Sequence, residues 1–294
     1  MPDKPLVSVV IATYNMARYL PLALRSALDQ TYRNVEILVI DDGSQDDTRE
    51  VIAPFLGDRR LRYLVQENQG PAAARNRGVR EAQGQFIAIL DADDIWTREK
   101  LEQQIPLFLR SAAIGVVYSR ISYIDETGKE LRIADNELFR GHVSGPLLVR
   151  NFIGFGTIVV RKECFDRLGG FDESIRMSED YDLLLRFSTQ YEFDYVDRPL
   201  LYYREWSGQV SRNWNTRYLK AIEIMKSFLR DFPDAVDKRT ANEAWAHTYV
   251  GFGYCMRSRE SRRREALSLY LRALRYKPDY FPAWKGIVAT VLGR

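Results

Sequence analysis

Cysteine and histidine are scarce, with two of each among 294 residues. Cys164 and Cys255 lie far apart, with no Cys-x-x-Cys or His-rich context. That excludes a disulfide framework and a zinc site and fits a reducing compartment. His142 and His247 fall outside every motif described below and are read as structural. Long apolar runs are also missing, and no stretch reaches the roughly 18 residues of a membrane span. The first ten residues enter a strand pattern without the basic region and apolar core of a secretion signal. The expectation is a cytoplasmic protein. Excess charge of one sign is absent too, because 43 Lys and Arg face 40 Asp and Glu for a net charge of +3. No nucleic-acid partner is expected at that balance.

What is present is the composition of a soluble globular chain, 46% hydrophobic and 28% charged,. Apolar runs rich in Val and Ile at 7–12, 35–40, 61–65 and 86–90 alternate with helical periodicity at 19–28, 47–55, 72–82 and 97–109. This βαβαβαβα order predicts a mostly parallel sheet covered on both faces, with ligands collecting beyond the carboxyl ends of its strands. Asp47 with Glu50 has capping-box spacing, Thr97 is placed to cap the fourth helix, and Gly70-Pro71 separates two elements. After residue 112 the pattern becomes mixed. A hairpin is expected from 114–124 and 131–133 around a turn at 126–129, with strands at 157–160 and 193–196 and a helix from about Ser178.

From about residue 217 the strand signal ends, and helices are expected at 218–230, 237–257, 265–276 and 281–292. The predicted organisation is an α/β domain over 1–213, with a first half to about 112 and a second half over 113–213, followed by a helical extension over 214–294. Trp245, Ala266, Tyr270, Ala273, Pro278 and Trp284 sit near the landmarks of one irregular tetratricopeptide repeat. A plain helical cap on the first domain is the competing reading. Arg257, Arg259, Arg262, Arg263 and Arg264 form a basic cluster. It is open to reading as a solvated helix-turn face or as a contact for anionic lipid, giving a peripheral membrane role, or for a phosphorylated acceptor.

Carboxylates mark the predicted strand ends: Asp41-Asp42 after the second and Asp91-Ala92-Asp93-Asp94 after the fourth. Five like charges at one sheet edge call for a cation, a hydrogen-bonding ligand or basic side chains. In an extended segment Asp91 and Asp93 would face one side together. That arrangement suits Mn²⁺ or Mg²⁺, which accepts one or two protein oxygens and fills its other positions with water and phosphate oxygens. Tyr14 and Asn15 add an aromatic face and an amide for a nucleobase, with Asp42 as acceptor for its imide N–H. Arg75 offers charge to phosphates or to the clustered carboxylates, with Arg77 as the competing choice.

These residues resemble family 2 glycosyltransferases of the GT-A fold. The resemblance rests on Val7-Ser8-Val9-Val10-Ile11-Ala12-Thr13-Tyr14-Asn15, on Val39-Ile40-Asp41-Asp42-Gly43-Ser44, on Asn68 through Asn76, on Leu90 through Asp94, and on Ser178-Glu179-Asp180. The motifs occur in family order and cover about residues 5 to 212. The resemblance implies an inverting transfer of one sugar from a nucleotide-diphosphate sugar, usually uridine-linked, to a saccharide or lipid-linked saccharide acceptor in surface polysaccharide or glycolipid synthesis. It implies that Ala12, Tyr14, Asp42 and Arg75 line the donor pocket, that Asp91 lies near the ribose or sugar, and that Asp93, with Asp91, serves the metal. Glu179 then belongs to the acceptor-side motif, and Asp180 is the catalytic base. Two departures stand out. Trp206 occupies a position where many relatives carry His, and the Gln-x-x-Arg-Trp signature of processive synthases is absent.

Two other classes compete. A nucleotidyltransferase on a related sheet normally has a Gly-rich basic loop after its first strand, whereas Thr13 through Ala17 contain neither Gly nor Lys. A non-catalytic interaction module built on the helical tail would have no use for the acidic set.

Overall fold

The computed structural model describes residues 4–209, 213–259 and 261–292. The first half follows the expected alternation: β1 (Val7–Thr13), α1 (Leu20–Leu28), β2 (Val35–Asp41), α2 (Thr48–Ile52), β3 (Leu61–Val65), α3 (Pro71–Glu81) and β4 (Phe86–Ile89). There follow β5 (Ile95–Trp96), α4 (Lys100–Phe108), β6 (Ile114–Ile124), β7 (Glu130–Ile133), α5 (Ser144–Val149), β8 (Val159–Arg161), α6 (Lys162–Leu168), α7 (Glu179–Ser188) and β9 (Glu192–Arg204). The chain ends in α8 (Trp214–Asp231), α9 (Lys238–Ser258), α10 (Arg263–Tyr276) and α11 (Phe281–Val291).

The strands join one sheet in the order β3-β2-β1-β4-β8-β6-β9-β5, with β7 paired to β6. β3, β2, β1 and β4 are parallel, and β8 runs antiparallel to both β4 and β6. β6 and β9 are parallel to each other. Two reversals at β8 therefore bring β6 and β9 back to the direction of β4, and the carboxyl ends of β1, β2, β4, β6 and β9 share one edge.

Burial on both faces explains the unbroken apolar runs. Val9, Ile11, Ile37 and Val39 pack with α1 and α4 in one core, while Val10, Leu38 and Ile40 pack with α3, α5 and α7 in the other. That second core also takes in Met225 of α8, Trp245 of α9 and Tyr270 of α10. The helical tail therefore lies on the α3 face and shares apolar burial with the sheet. Asn213 and Asp237 cap α8 and α9 by accepting from the N–H groups of Thr216 (3.2 Å) and Thr240 (2.7 Å),. Both cysteines are buried, and neither is in a disulfide. Among the described residues no helix is long and apolar enough to cross a membrane.

Three local expectations are corrected. Asp47 makes no cap bond at α2. Asp46 does this instead, accepting from Thr48 N at 3.1 Å and Thr48 Oγ1 at 2.5 Å. α4 starts three residues later than Thr97, after Glu99, and Thr97 Oγ1 is buried without a hydrogen-bond partner among the described residues. Asp91 to Asp94 do not form an extended segment, because Asp94 N–H closes a turn onto Asp91 C=O at 3.1 Å. β9 also exceeds its expectation, running eight residues past the 193–196 core through Asp197-Arg198-Pro199. It does so by shifting register against β6 around Ser119–Arg120.

Candidate active site

The β2 end is fixed by neutral donors. Asp42 is 2% exposed. Its Oδ1 accepts from Gln66 Nε2 at 2.7 Å and Gln69 N–H at 3.0 Å, and its Oδ2 from Gly70 N–H at 2.7 Å. Asp42 thereby holds the loop that leads into α3, where Gly70 takes φ 96° and an added Cβ would meet Arg176 at 2.9 Å,. Asp41 accepts from Ser44 N–H at 2.8 Å and from the Tyr63 hydroxyl. Across the edge, Asn15, at φ 54°, accepts from Gln45 N–H at 2.8 Å and donates its own N–H to Ser44 Oγ at 2.9 Å. Tyr14 is left 43% exposed beside them, and Ala12 is half-buried at the end of β1.

The β4 end is a buttressed turn. The fully buried Arg204, at the end of β9, donates its Nε to Asp93 C=O at 2.9 Å and its backbone N–H to Asp94 Oδ1 at 3.0 Å. Its Nη1 reaches the carbonyls of Asp125 and Glu126, both at 3.2 Å. Trp206 donates its indole N–H to Asp93 Oδ2 at 2.8 Å. Burial, followed by the charge of Asp91, pushes the Asp93 carboxyl above the ordinary carboxylate range, against the pull of Trp206. Asp94 is pushed well up by burial and then by Asp93 and Asp91,.

Arg75 joins the two halves. Its Nη2 bonds Asp91 Oδ1 at 2.8 Å and its Nη1 bonds Glu179 Oε1 at 2.5 Å. The guanidinium lies over the rings of Phe155 (5.0 Å) and Phe171 (5.8 Å),. Burial alone would weaken its proton affinity, but Asp91, Glu179 and Asp180 more than reverse this and raise it. Arg77 points elsewhere, to Val65 C=O at 2.8 Å. Asp180 is the second residue of α7, which Ser178 enters in the left-handed conformation at φ 64°. Desolvation and then the Glu179 charge push Asp180 up to about 6, with Arg217 and Arg75 opposing them. Among the described residues no side chain hydrogen-bonds its carboxylate.

The sequence expectations placed Asp42, Asp91, Asp93, Arg75, Glu179 and Asp180 near one another, and the fold brings Asp91, Arg75 and Glu179 into direct contact. Sequence reasoning missed Arg204 as the buttress of the Asp93-Asp94 turn, the indole bond of Trp206, and Gln66 and Gln69 as holders of Asp42. An Arg at the end of an apolar strand, bordering an acidic turn, was the available signal. Two open clefts of about 350 and 360 Å³ lie on the helical tail.

A mixed sheet with helices on both faces and a helical C-terminal region gives this chain the fold of solved GT-A glycosyltransferases. The chain superposes on Staphylococcus aureus TarS 1-349 in complex with UDP-GlcNAc with a TM-score of 0.73 and 16% identity, covering 98% of this chain and 92% of that one. A Pyrobaculum calidifontis mannosyltransferase in complex with GDP-Man and Mn²⁺ gives a TM-score of 0.58 at 18% identity, covering 99% and 87%. The chain belongs to glycosyl transferase family 2, whose model matches residues 8–167. An uncharacterised glycosyltransferase of Rickettsia conorii is 35% identical over 66% of this chain, which spans 32% of that relative's length. One from Methanocaldococcus jannaschii is 33% identical over 69% of this chain and 71% of its own.

Proposed function

We propose that the chain is an inverting glycosyltransferase that moves one sugar from a nucleotide-diphosphate sugar, with uridine as the expected base, to an acceptor hydroxyl. The observation that carries this reading is the Arg75 bridge, which fastens the strand-end Asp91 to the Glu179-Asp180 corner of α7. The two carboxylate groups that the reaction needs, one for the donor and one for the acceptor, are thereby held at a fixed separation. Tyr14 offers an exposed ring to the nucleobase, and Asp42 has one acceptor position beyond the three donors it already binds,.

The proposed chemistry is a single displacement. As the acceptor oxygen bonds to the anomeric carbon, the bond to the diphosphate oxygen breaks and the acceptor proton passes to Asp180. A carboxyl group near 6 suits that task, since it is mostly ionised at neutral pH yet basic enough to take a proton,. The mutual repulsion of Asp91 and Asp93, both short of basic neutralisation beyond Arg75, fits a hard divalent cation. Among the described residues no cluster of three acidic, His or Cys side chains forms a cage, and Mg²⁺ or Mn²⁺ does not need one when phosphate oxygens complete its shell. When bound by Asp93 beside Asp91, the ion would supply neutralisation of charge on the departing diphosphate. The proposed setting is assembly of a surface polysaccharide or glycolipid.

Thermal unfolding with UDP-GlcNAc, UDP-glucose and GDP-mannose, with and without Mn²⁺, tests the reading. At least one donor should raise the melting temperature in a Mn²⁺-dependent way. A flat response to the whole panel would contradict it.

A further inference from the structure

The edge of the sheet is acidic, but the surface that faces Asp180 from the tail is basic. α8 packs against α7, and Arg217 of α8 lies close enough for its charge to act on the Asp180 carboxylate. Trp214 sits between two guanidinium groups, with Arg217 5.4 Å and Arg259 4.6 Å from its ring centroid. Arg150, at the end of α5, joins them around Tyr218, whose hydroxyl feels Arg217, Arg259 and Arg150 together. Tyr218 is itself fixed by stacking on Phe252 at 5.3 Å and 13°.

All three arginines are exposed, and none pairs with a carboxylate among the described residues. Elsewhere in the molecule arginines are routinely matched, as Arg132 is to Glu205 and Arg186 to Asp182. Apart from Asp180, which Arg217 faces, these like charges meet no ion-pair partner among the described residues, and an incoming anion relieves their mutual repulsion,. Guanidinium forks match phosphate oxygens, and the indole between them offers a flat face to a sugar ring.

We propose that the acceptor is anionic: a phosphate ester docks on Arg150, Arg217 and Arg259 beside the Trp214 ring, leaving the hydroxyl to be glycosylated within reach of Asp180. This rests on the glycosyltransferase reading for the role of Asp180, but the anion site itself can be tested without turnover. The phosphate could belong to a soluble saccharide or to a lipid headgroup, and the experiment separates these sources.

The full chain and its R150Q and R217Q/R259Q variants are titrated with glucose 1-phosphate, with glucose, and with vesicles of phosphatidylglycerol or phosphatidylcholine. UDP binding is measured alongside. The wild type should prefer the charged probe of at least one pair by about tenfold, and the double variant should lose that preference while binding UDP as before. R150Q should show a smaller loss. A loss with glucose 1-phosphate assigns the site to a saccharide phosphate, and a loss with phosphatidylglycerol alone assigns it to a headgroup. Charged probes bound equally by wild type and double variant, or no better than their neutral partners, would overturn the proposal. That result with UDP binding intact leaves the glycosyltransferase reading standing, whereas a wild type that binds glucose 1-phosphate but no nucleotide fails that reading alone.

Discussion

Asp42 and Asp180 are acidic residues of one candidate site, and the protein treats their carboxylates in opposite ways. Asp42 accepts three hydrogen bonds from the 66–70 loop, whose Gly70 leads into α3. Asp180 stands at the start of a helix beside a second carboxylate, with burial and that neighbour pushing it up to about 6. A carboxylate held by several donors is a fixed acceptor, suited to recognition. One left short of donors is suited to taking up a proton. Asp91 and Glu179 stand between these extremes, each tied to one arm of Arg75.

The largest expected effect follows from removing the group that takes the proton. Asp180→Asn should lower sugar transfer by about 10³-fold or more while nucleotide binding is retained, which single-turnover kinetics with a bound donor would check. The same variant should gain stability. Between the ordinary Asp value of 3.8 and about 6, the folded state keeps a proton that the unfolded state has lost. Stability from this group therefore falls as pH rises through that window and stays low above it. Asn should stabilise the fold at pH 8 by about 1–3 kcal/mol and by almost nothing near pH 4, as read by urea unfolding at both pH values.

Next comes the bridge between the two kinds of carboxylate. Arg75→Gln strands Asp91 and Glu179 close together, at a cost of about 3 kcal/mol. Chemical unfolding at pH 8 should show this loss. On the fixed side, Asp42→Asn replaces an acceptor oxygen by a donor facing N–H groups, costing about 1–2 kcal/mol. It should also loosen the 66–70 loop, measurable as faster amide exchange at Gln69 and Gly70. The smallest effect is expected from Trp206→Phe, which keeps the ring contact with Tyr19 at 5.6 Å but removes the N–H bond to Asp93. Mn²⁺-dependent nucleotide affinity should change by about threefold, corresponding to the loss of one hydrogen bond.

How much of this was legible in the sequence tracks the same division. β1, β2 and β4 bury both faces, so their apolar runs appear in the sequence as unbroken strands, and the carboxylates that follow β2 and β4 fall where parallel topology puts strand ends. Arg75 was legible as a charge near those carboxylates, although its two partners, 16 and 104 residues away along the chain, were not. Arg204 and Trp206 were hidden for a different reason. They act across more than 100 residues of sequence on the Asp93-Asp94 turn, and β9 reaches them through a polar stretch, Asp197-Arg198-Pro199, that breaks the strand pattern. The turn at Asp91 to Asp94 was misjudged as extended because alternation alone does not reveal a bond from Asp94 N–H to Asp91 C=O.

The central claim is that Asp180 takes the acceptor proton while the donor is held elsewhere in the site. The most direct test is the pH dependence of kcat/KM for donor turnover, with water as the acceptor where no saccharide is supplied, in the wild type and Asp180→Asn. The rate should climb about tenfold per pH unit below an inflection near 6 and level off above it,. Asp180→Asn should bind nucleotide normally but show a residual rate without that inflection. An Asn variant that keeps the wild-type rate and inflection would contradict the account.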